Sequence, residues 1–171
     1  MAQATEVLDL FLTGVKNAHA MEKQELSIMS PQVARLESYP DVKAKLSEHI
    51  RETEEQISRL DQILATHGTD ASGVKDTMLS IAGGMAALGH TAAPDEILKN
   101  SFANFAFENF EIAAYTSLIT MAEVAGESAA VSLLTQNLTE EQRMASWLSG
   151  NVANVTQQYM ALREMGEKAK V

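Results

Sequence analysis

Apolar positions recur along this chain in alternating steps of three and four residues, the period of one helix face, over four long stretches. The first stripe reads Leu8, Phe11, Val15, Ala18, Glu22, Glu25, Met29 and predicts a helix from about Ala4 to Met29. Ser30-Pro31 ends it, with Ser as a cap and Pro at the first position of a short helical turn to about Leu36. Tyr39-Pro40-Asp41 opens a second helix, since proline suits the first helical position and an acid suits the first turn. That helix ends near His67-Gly68. Ala93-Pro94-Asp95-Glu96 opens a third, which runs to about Ala125; Gly126 breaks the chain, and a fourth follows from about Glu127 to Met165. No stretch alternates with a period of two for long enough to predict a sheet.

Between the second and third helices lies an irregular segment, Thr69 to Ala93, carrying Gly73, Gly83, Gly84 and Gly89. Val74, Met78, Ile81, Met85 and Leu88 keep a helical rhythm there, so a connector helix with a weak point at Gly83-Gly84 is expected. Two helical hairpins joined by a long connector describe an all-α fold. The expectation is a ferritin-like four-helix bundle with one long crossover connection carrying an extra short helix, a single domain over residues 1–171.

The stripes are interrupted by polar residues where packing calls for leucine. The second reads Leu46, His49, Thr53, Gln56, Leu60, Ile63, with Glu52 at its edge. The third reads Ser101, Asn104, Glu108, Glu111, Tyr115, Leu118, Ala122, with Phe102, Phe105, Phe107 and Phe110 expected as apolar cover. The fourth has Glu141 as its one charge, between Leu138 and Ala145. An ionised carboxylate inside a bundle costs several kcal/mol or more unless paired or bound to a metal.

The levels of these residues match. Glu111 lies 15 residues before Gly126 and Glu141 lies 15 after it. The midpoints of Glu22 with His49 and of Glu22 with Glu52 fall at 35.5 and 37, inside the predicted connection. Each hairpin therefore carries its acids at one level. Carboxylates and imidazole suit iron and manganese, and two such ions need bridging and terminal carboxylates together. The candidate ligands are Glu22, His49, Glu52, Glu108, Glu111 and Glu141, around two metal ions, iron with manganese as the alternative. Tyr115, one turn after Glu111, is placed to donate a hydrogen bond to a ligating carboxylate. Simpler readings stand beside this one. Glu22 and Glu141 could be helix-edge charges paired with Lys or Arg, His49 a satisfied core or surface histidine, and Glu52 part of a solvated acidic face with Glu48, Glu54 and Glu55. Glu25 is read as solvated at a groove edge.

Composition narrows the classes. A net charge of −10 argues against nucleic acid and suits a protein that attracts cations. With no cysteine, disulfides and thiolate metal sites are ruled out. No segment approaches 18 uninterrupted apolar residues, so no membrane span is expected. The residues from Met1 to Glu6 lack a basic region and an apolar run, so the expected location is cytoplasmic.

The chain resembles the YciE/YciF family of ferritin-like stress proteins over nearly its whole length. The residues that carry the resemblance are Ala20-Met21-Glu22-Lys23-Gln24, His49-Ile50-Arg51-Glu52-Thr53, Gln56-Ile57, Arg59-Leu60-Asp61-Gln62, Glu108-Asn109-Phe110-Glu111-Ile112-Ala113-Ala114-Tyr115, and Leu133-Leu134 followed by Leu138-Thr139-Glu140-Glu141. The resemblance implies a ferritin-like bundle with a bound metal pair, iron before manganese, and a homodimer. It also implies a stress role. The leading functional expectation is a dinuclear iron protein that handles iron or reduces peroxide or dioxygen under stress. Helix 2 reverses the usual ferritin-like Glu-x-x-His order to His49-x-x-Glu52, and helix 4 has no histidine after Glu141. Two other functions are carried forward: a dimeric structural or interaction module using Thr69 to Ala93 as its contact surface, and a manganese catalase-like enzyme.

Overall fold

The computed structural model describes residues 2–72 and 93–171. The predicted connector helix over Val74–Leu88, with Gly83-Gly84, lies outside the described residues, as does most of the proposed contact segment. Among the described residues there are four helices: α1 (Ala2–Arg35), α2 (Pro40–Thr66), α3 (Glu96–Ala125) and α4 (Ser128–Glu164).

Their ends follow local chemistry. Pro40 occupies the first turn of α2, and Asp41 stands at its positive end. At the other end Gly68 takes φ +63°, and the Thr69 amide reaches back to the Leu64 carbonyl at 3.2 Å. Gly126 repeats the device after α3: φ is +80° and the Glu127 amide donates to the Ala122 carbonyl at 2.9 Å. Both are left-handed caps that a side chain would strain.

One boundary differs from expectation. Ser30-Pro31 does not end α1, which runs on to Arg35 with Pro31 inside it. Proline removes a helical hydrogen bond, at about 3 kcal/mol or more in a helix interior. Here Pro31 and Ser27, whose carbonyl loses its donor, both face solvent, so water can serve that carbonyl. Met29, Gln32 and Leu36 are buried on the other side and hold the last turns in the bundle.

The packing partners set the topology. Each of α1–α2, α3–α4, α1–α3 and α2–α4 forms a packed pair. Along α1, Glu25 faces His49 while His19 faces Asp61, so α1 and α2 run antiparallel. Glu22 faces Tyr115 while Arg35 faces Glu96, so α1 and α3 are antiparallel too. α2 and α3 are therefore parallel, and the chain joining them must pass from one end of the bundle to the other. That is about 40 Å for a 27-residue helix at 1.5 Å per residue. This is the long crossover of a ferritin-like bundle.

The core is split into two apolar clusters. One gathers Phe11, Val15, Met21, Leu60, Leu64, Phe107, Leu118 and Leu134; the other gathers Met29, Leu36, Tyr39, Leu46, Ile97, Met144 and Leu148. Every helix passes through a polar layer between them: Glu22 and Glu25 on α1, His49, Thr53 and Gln56 on α2, Glu108 and Glu111 on α3, Glu141 on α4, all buried.

Past α4 the chain packs against the α1–α2 loop and the start of α3. Tyr39 Oη donates to the Ala169 carbonyl at 2.6 Å, the Ile97 amide donates to the Lys170 carbonyl at 3.0 Å, and Lys170 reaches the buried Glu96 at 3.3 Å. Among the described residues no helix is long and apolar enough to cross a membrane. Because Tyr39 is buried and its bond ties the tail down, Tyr39→Phe should cost about 1 kcal/mol, the usual worth of such a bond. A urea denaturation midpoint identical to wild type would show that the tail contributes nothing at this point.

Candidate metal centre

The polar layer comes together because each residue occupies a core position on its stripe. Steps of three and four point Glu22 and Glu25, Glu108 and Glu111, and His49 and Thr53 inward as one-turn pairs. Two sets of ligand atoms converge, each within 4.8 Å: Glu25, His49, Glu108 and Glu141, and beside them Glu22, Glu25 and Glu111. Glu25 belongs to both sets, and all four helices contribute.

His49 Nε2 lies 3.2 Å from Glu25 Oε1, 3.3 Å from Glu108 Oε2 and 3.5 Å from Glu141 Oε2. Its Nδ1 lies 3.1 Å from Glu52 Oε2. Around this centre, neutral donors orient the carboxylates. Tyr115 Oη donates to Glu22, Asn137 Nδ2 donates to Tyr115 Oη at 2.9 Å, Thr53 Oγ1 donates to Glu25 Oε2 at 2.9 Å, and Gln56 Nε2 donates to Glu141. Such contacts to the far side of a ligand are what aim it at an ion.

The remaining oxygens have no donor: Glu22 Oε2, both oxygens of Glu108, both of Glu111, and Glu141 Oε2. Native interiors rarely leave even one buried polar atom in that state. Six in one layer, with five acids and one imidazole, is a donor set that suits cations of the oxygen-preferring kind. The residues present therefore fit metal ions, with Glu25 common to both ligand sets.

Electrostatics agree with the geometry. Burial, then the neighbouring Glu141 and Glu25, push the Glu22 carboxyl well above its ordinary range. Burial and the nearby Glu25 do the same to Glu108, and burial with Glu25 and Glu22 to Glu111. For His49, burial works against charge, but the carboxylates of Glu108, Glu141, Glu25 and Glu52 close around the ring outweigh it and raise the pKa. Burial and the adjacent Glu22 also raise Tyr115. Without cations, then, the layer holds protons more tightly than exposed carboxylates do. Glu52 goes the other way: its bond to His49, reinforced by Arg143, brings it down to about 2.

The structure brings Glu22, His49, Glu108, Glu111 and Glu141 into the two ligand sets and leaves Glu52 outside both. Glu52 is 16% exposed and holds the outer nitrogen of His49, with Arg143 on its other oxygen. Two expectations are corrected. Glu25 is not solvated at a groove edge but 1% exposed, and is central. Its place on the stripe, one turn from Glu22, was the available signal; burial on both sides by α2 and α3 was not visible. The phenylalanine cover also differs, since Phe107 is buried but Phe102, Phe105 and Phe110 are 52, 37 and 49% exposed. The pair Glu108 and Glu111 is covered by the other helices, because only the inner side of α3 faces the bundle.

The family model for a domain of unknown function, DUF892, matches residues 6–161. A solved protein from Xanthomonas campestris pv. campestris is 24% identical, covering 93% of this chain and 99% of that chain, with a TM-score of 0.79. YcfI of Rhodopseudomonas palustris, provisionally described as a structural protein, is 29% identical over 84% of this chain and 92% of its own, with a TM-score of 0.72. The Escherichia coli stress protein YciF is 24% identical over 86% and 95%, with a TM-score of 0.77. The structural likenesses speak for the fold, and the family model spans most of the chain. This chain accordingly belongs to the DUF892 family, the group to which its resemblance to YciE and YciF pointed.

Proposed function

We propose that this protein is a dinuclear metal protein of the stress-response type, with iron as the metal and manganese as the alternative, working on iron itself or on peroxide or dioxygen. One observation carries the reading: five buried carboxylates from three helices meet one imidazole with six oxygens lacking any donor. Two divalent cations would bring four positive charges to five negative ones. Glu25, His49, Glu108 and Glu141 would hold one ion, and Glu22, Glu25 and Glu111 the other.

A bound iron or manganese pair supplies redox and Lewis-acid chemistry towards oxygen species. The chain's own residues do the rest. Tyr115, Thr53 and Gln56 orient Glu22, Glu25 and Glu141, and the apolar clusters on either side keep the layer dry. Tyr115 also holds a proton at Oη against Glu22, beside the ligand oxygens. The cytoplasmic placement expected from the sequence belongs to the same proposal.

The homodimer is part of it as well. From Asn100 to Ala122 the only charges are Glu108 and Glu111, and both point inward. Over this stretch the outer face of α3 is therefore uncharged and presents Phe102, Phe105 and Phe110 to solvent. A twofold contact sets one face against itself, so a face without charge meets no like charge there. Exposed apolar patches of this kind mark interaction surfaces.

Three outcomes follow. Protein purified without chelator should carry about two equivalents of iron or manganese, one for each ligand set. Glu111→Leu should lose that metal, yet raise the stability of the metal-free protein by about 1–4 kcal/mol, the gain seen when buried charges give way to apolar residues. Less than half an equivalent, with an unchanged fold in chelator, would identify a dimeric structural module instead.

The pH dependence has a definite sign. Glu22, Glu108, Glu111 and His49 all have folded pKa values above their unfolded ones. Their stabilisation is complete below the unfolded values and is lost as pH rises towards the folded ones. Glu52 contributes oppositely, between about 2 and its ordinary range, outside this window. The melting temperature of chelator-treated protein should fall from pH 5 to pH 8 in calorimetry, and saturating metal should abolish the fall, because metal competes with the same protons. A rising melting temperature in the metal-free protein contradicts it.

Sedimentation should report a dimer for the wild type and a monomer for the double variant Phe105→Glu/Phe110→Glu. A wild-type monomer, or a dimer that survives both charges, removes this surface from the proposal.

A further inference from the structure

Polar side chains line the seam between α2 and α4. Between α2 and α4, Gln56 donates to Glu140 at 3.1 Å and to Glu141, Arg59 donates to Asn137 at 2.8 Å and pairs with Glu140 at 2.7 Å, and Arg143 donates to Glu52. The two arginines differ. Arg59 is 15% exposed and tied to Glu140, Asn137 and Glu55. Arg143 is 52% exposed and makes its ion pair with Glu52. Exposed ion pairs are weak, so Arg143 leaves its partner far more easily than Arg59 leaves its own.

Glu52 stands between solvent and the buried layer. Its Oε1 accepts from Arg143, and its Oε2 lies 3.1 Å from Nδ1 of the fully buried His49. Directly inward of His49 are Glu108 and Glu141, whose Oε2 atoms lack a hydrogen-bond donor. The Gln56 Oε1 atom beside them is also buried and unpartnered. The seam thus offers acceptor oxygens from its mouth at Glu52 to the ligand set at Glu108 and Glu141.

We infer that Arg143 and Glu52 form the entry gate through which divalent cations reach the centre. Arg143 guards the outer oxygen of Glu52 and yields it to an arriving cation. Glu52 then passes the cation inward beside His49, to Glu108 and Glu141. Glu52 on this account is an entry ligand and a positioning residue for His49, not a resident ligand. The net charge of −10 supplies the general attraction, and the gate decides where it is admitted. The inference rests on the metal-centre reading, and its test separates the two.

Chelator-stripped full-length protein is mixed with Co²⁺ in a stopped-flow instrument, and rate and final equivalents are read from the cobalt absorption. Arg143→Gln should raise the uptake rate several-fold with the same end point. Glu52→Gln should lower the rate about tenfold, the lower end of what electrostatic steering contributes, again with the same end point. Arg163→Gln, a change on the exposed last turn of α4, should behave as wild type. Circular dichroism checks that each variant is folded. Rates within twofold of wild type for both gate variants overturn the gate. A reduced end point for Glu52→Gln makes Glu52 a resident ligand and overturns it equally. Wild-type protein that takes up no cobalt removes the metal centre, and the gate with it.

Discussion

Five carboxylates enclosed in one layer of a helical bundle repel one another and have lost their water, and the rest of the molecule is arranged around that fact. Glu22, Glu25, Glu108, Glu111 and Glu141 are all essentially inaccessible to solvent. Burial and mutual charge raise the first, third and fourth well above ordinary carboxylate behaviour, so protons or cations must share the layer with them. An apolar layer of the same volume would give a more stable fold. A chain that keeps the acids trades stability for what they can hold.

The fold accommodates this layer by isolating it. Apolar clusters above and below supply the burial that drives folding, and the layer between them is framed by donors that aim rather than neutralise. Tyr115 and Thr53 each reach one oxygen of one glutamate and Gln56 reaches one oxygen each of Glu140 and Glu141, leaving Glu22 Oε2 and Glu141 Oε2 without a donor. Asn137 and Arg59 extend this frame to the surface between α2 and α4. The same frame that orients ligands thereby leaves the seam polar, whereas the other end of the bundle is closed by apolar contacts and by the tail packed on Tyr39.

The two sides of α3 show how one helix serves two purposes. Its inner side carries Glu108, Glu111 and Tyr115 into the layer, while its outer side carries three exposed phenylalanines and, between Asn100 and Ala122, no charge. A helix apolar on its outside as well as its inside is one that normally has cover on both. That pattern made Glu108 and Glu111 look sheathed by aromatic residues in the sequence. In space, the sheath is α1, α2 and α4, and the phenylalanines face away.

Much of the fold was legible in the chain because it is local. The stripe on each helix follows from the 3.6-residue period, and Pro40, Gly68 and Gly126 mark ends through backbone geometry that depends on a few neighbours. The matched levels of Glu111 with Glu141 and of Glu22 with His49 needed only equal distances from a turn, and those four residues do meet in one layer. What the chain could not reveal is lateral: how far each helix is rotated and which neighbour lies over a given edge. That rotation buries Glu25 while leaving Glu52 at the rim, though both sit on acid-rich stretches. It also lets Pro31 continue α1, because packing of Gln32 and Leu36 outweighs one lost hydrogen bond. Local periodicity assigned the glutamates to the interior; only the packing of four helices decided which of them share an ion-sized space.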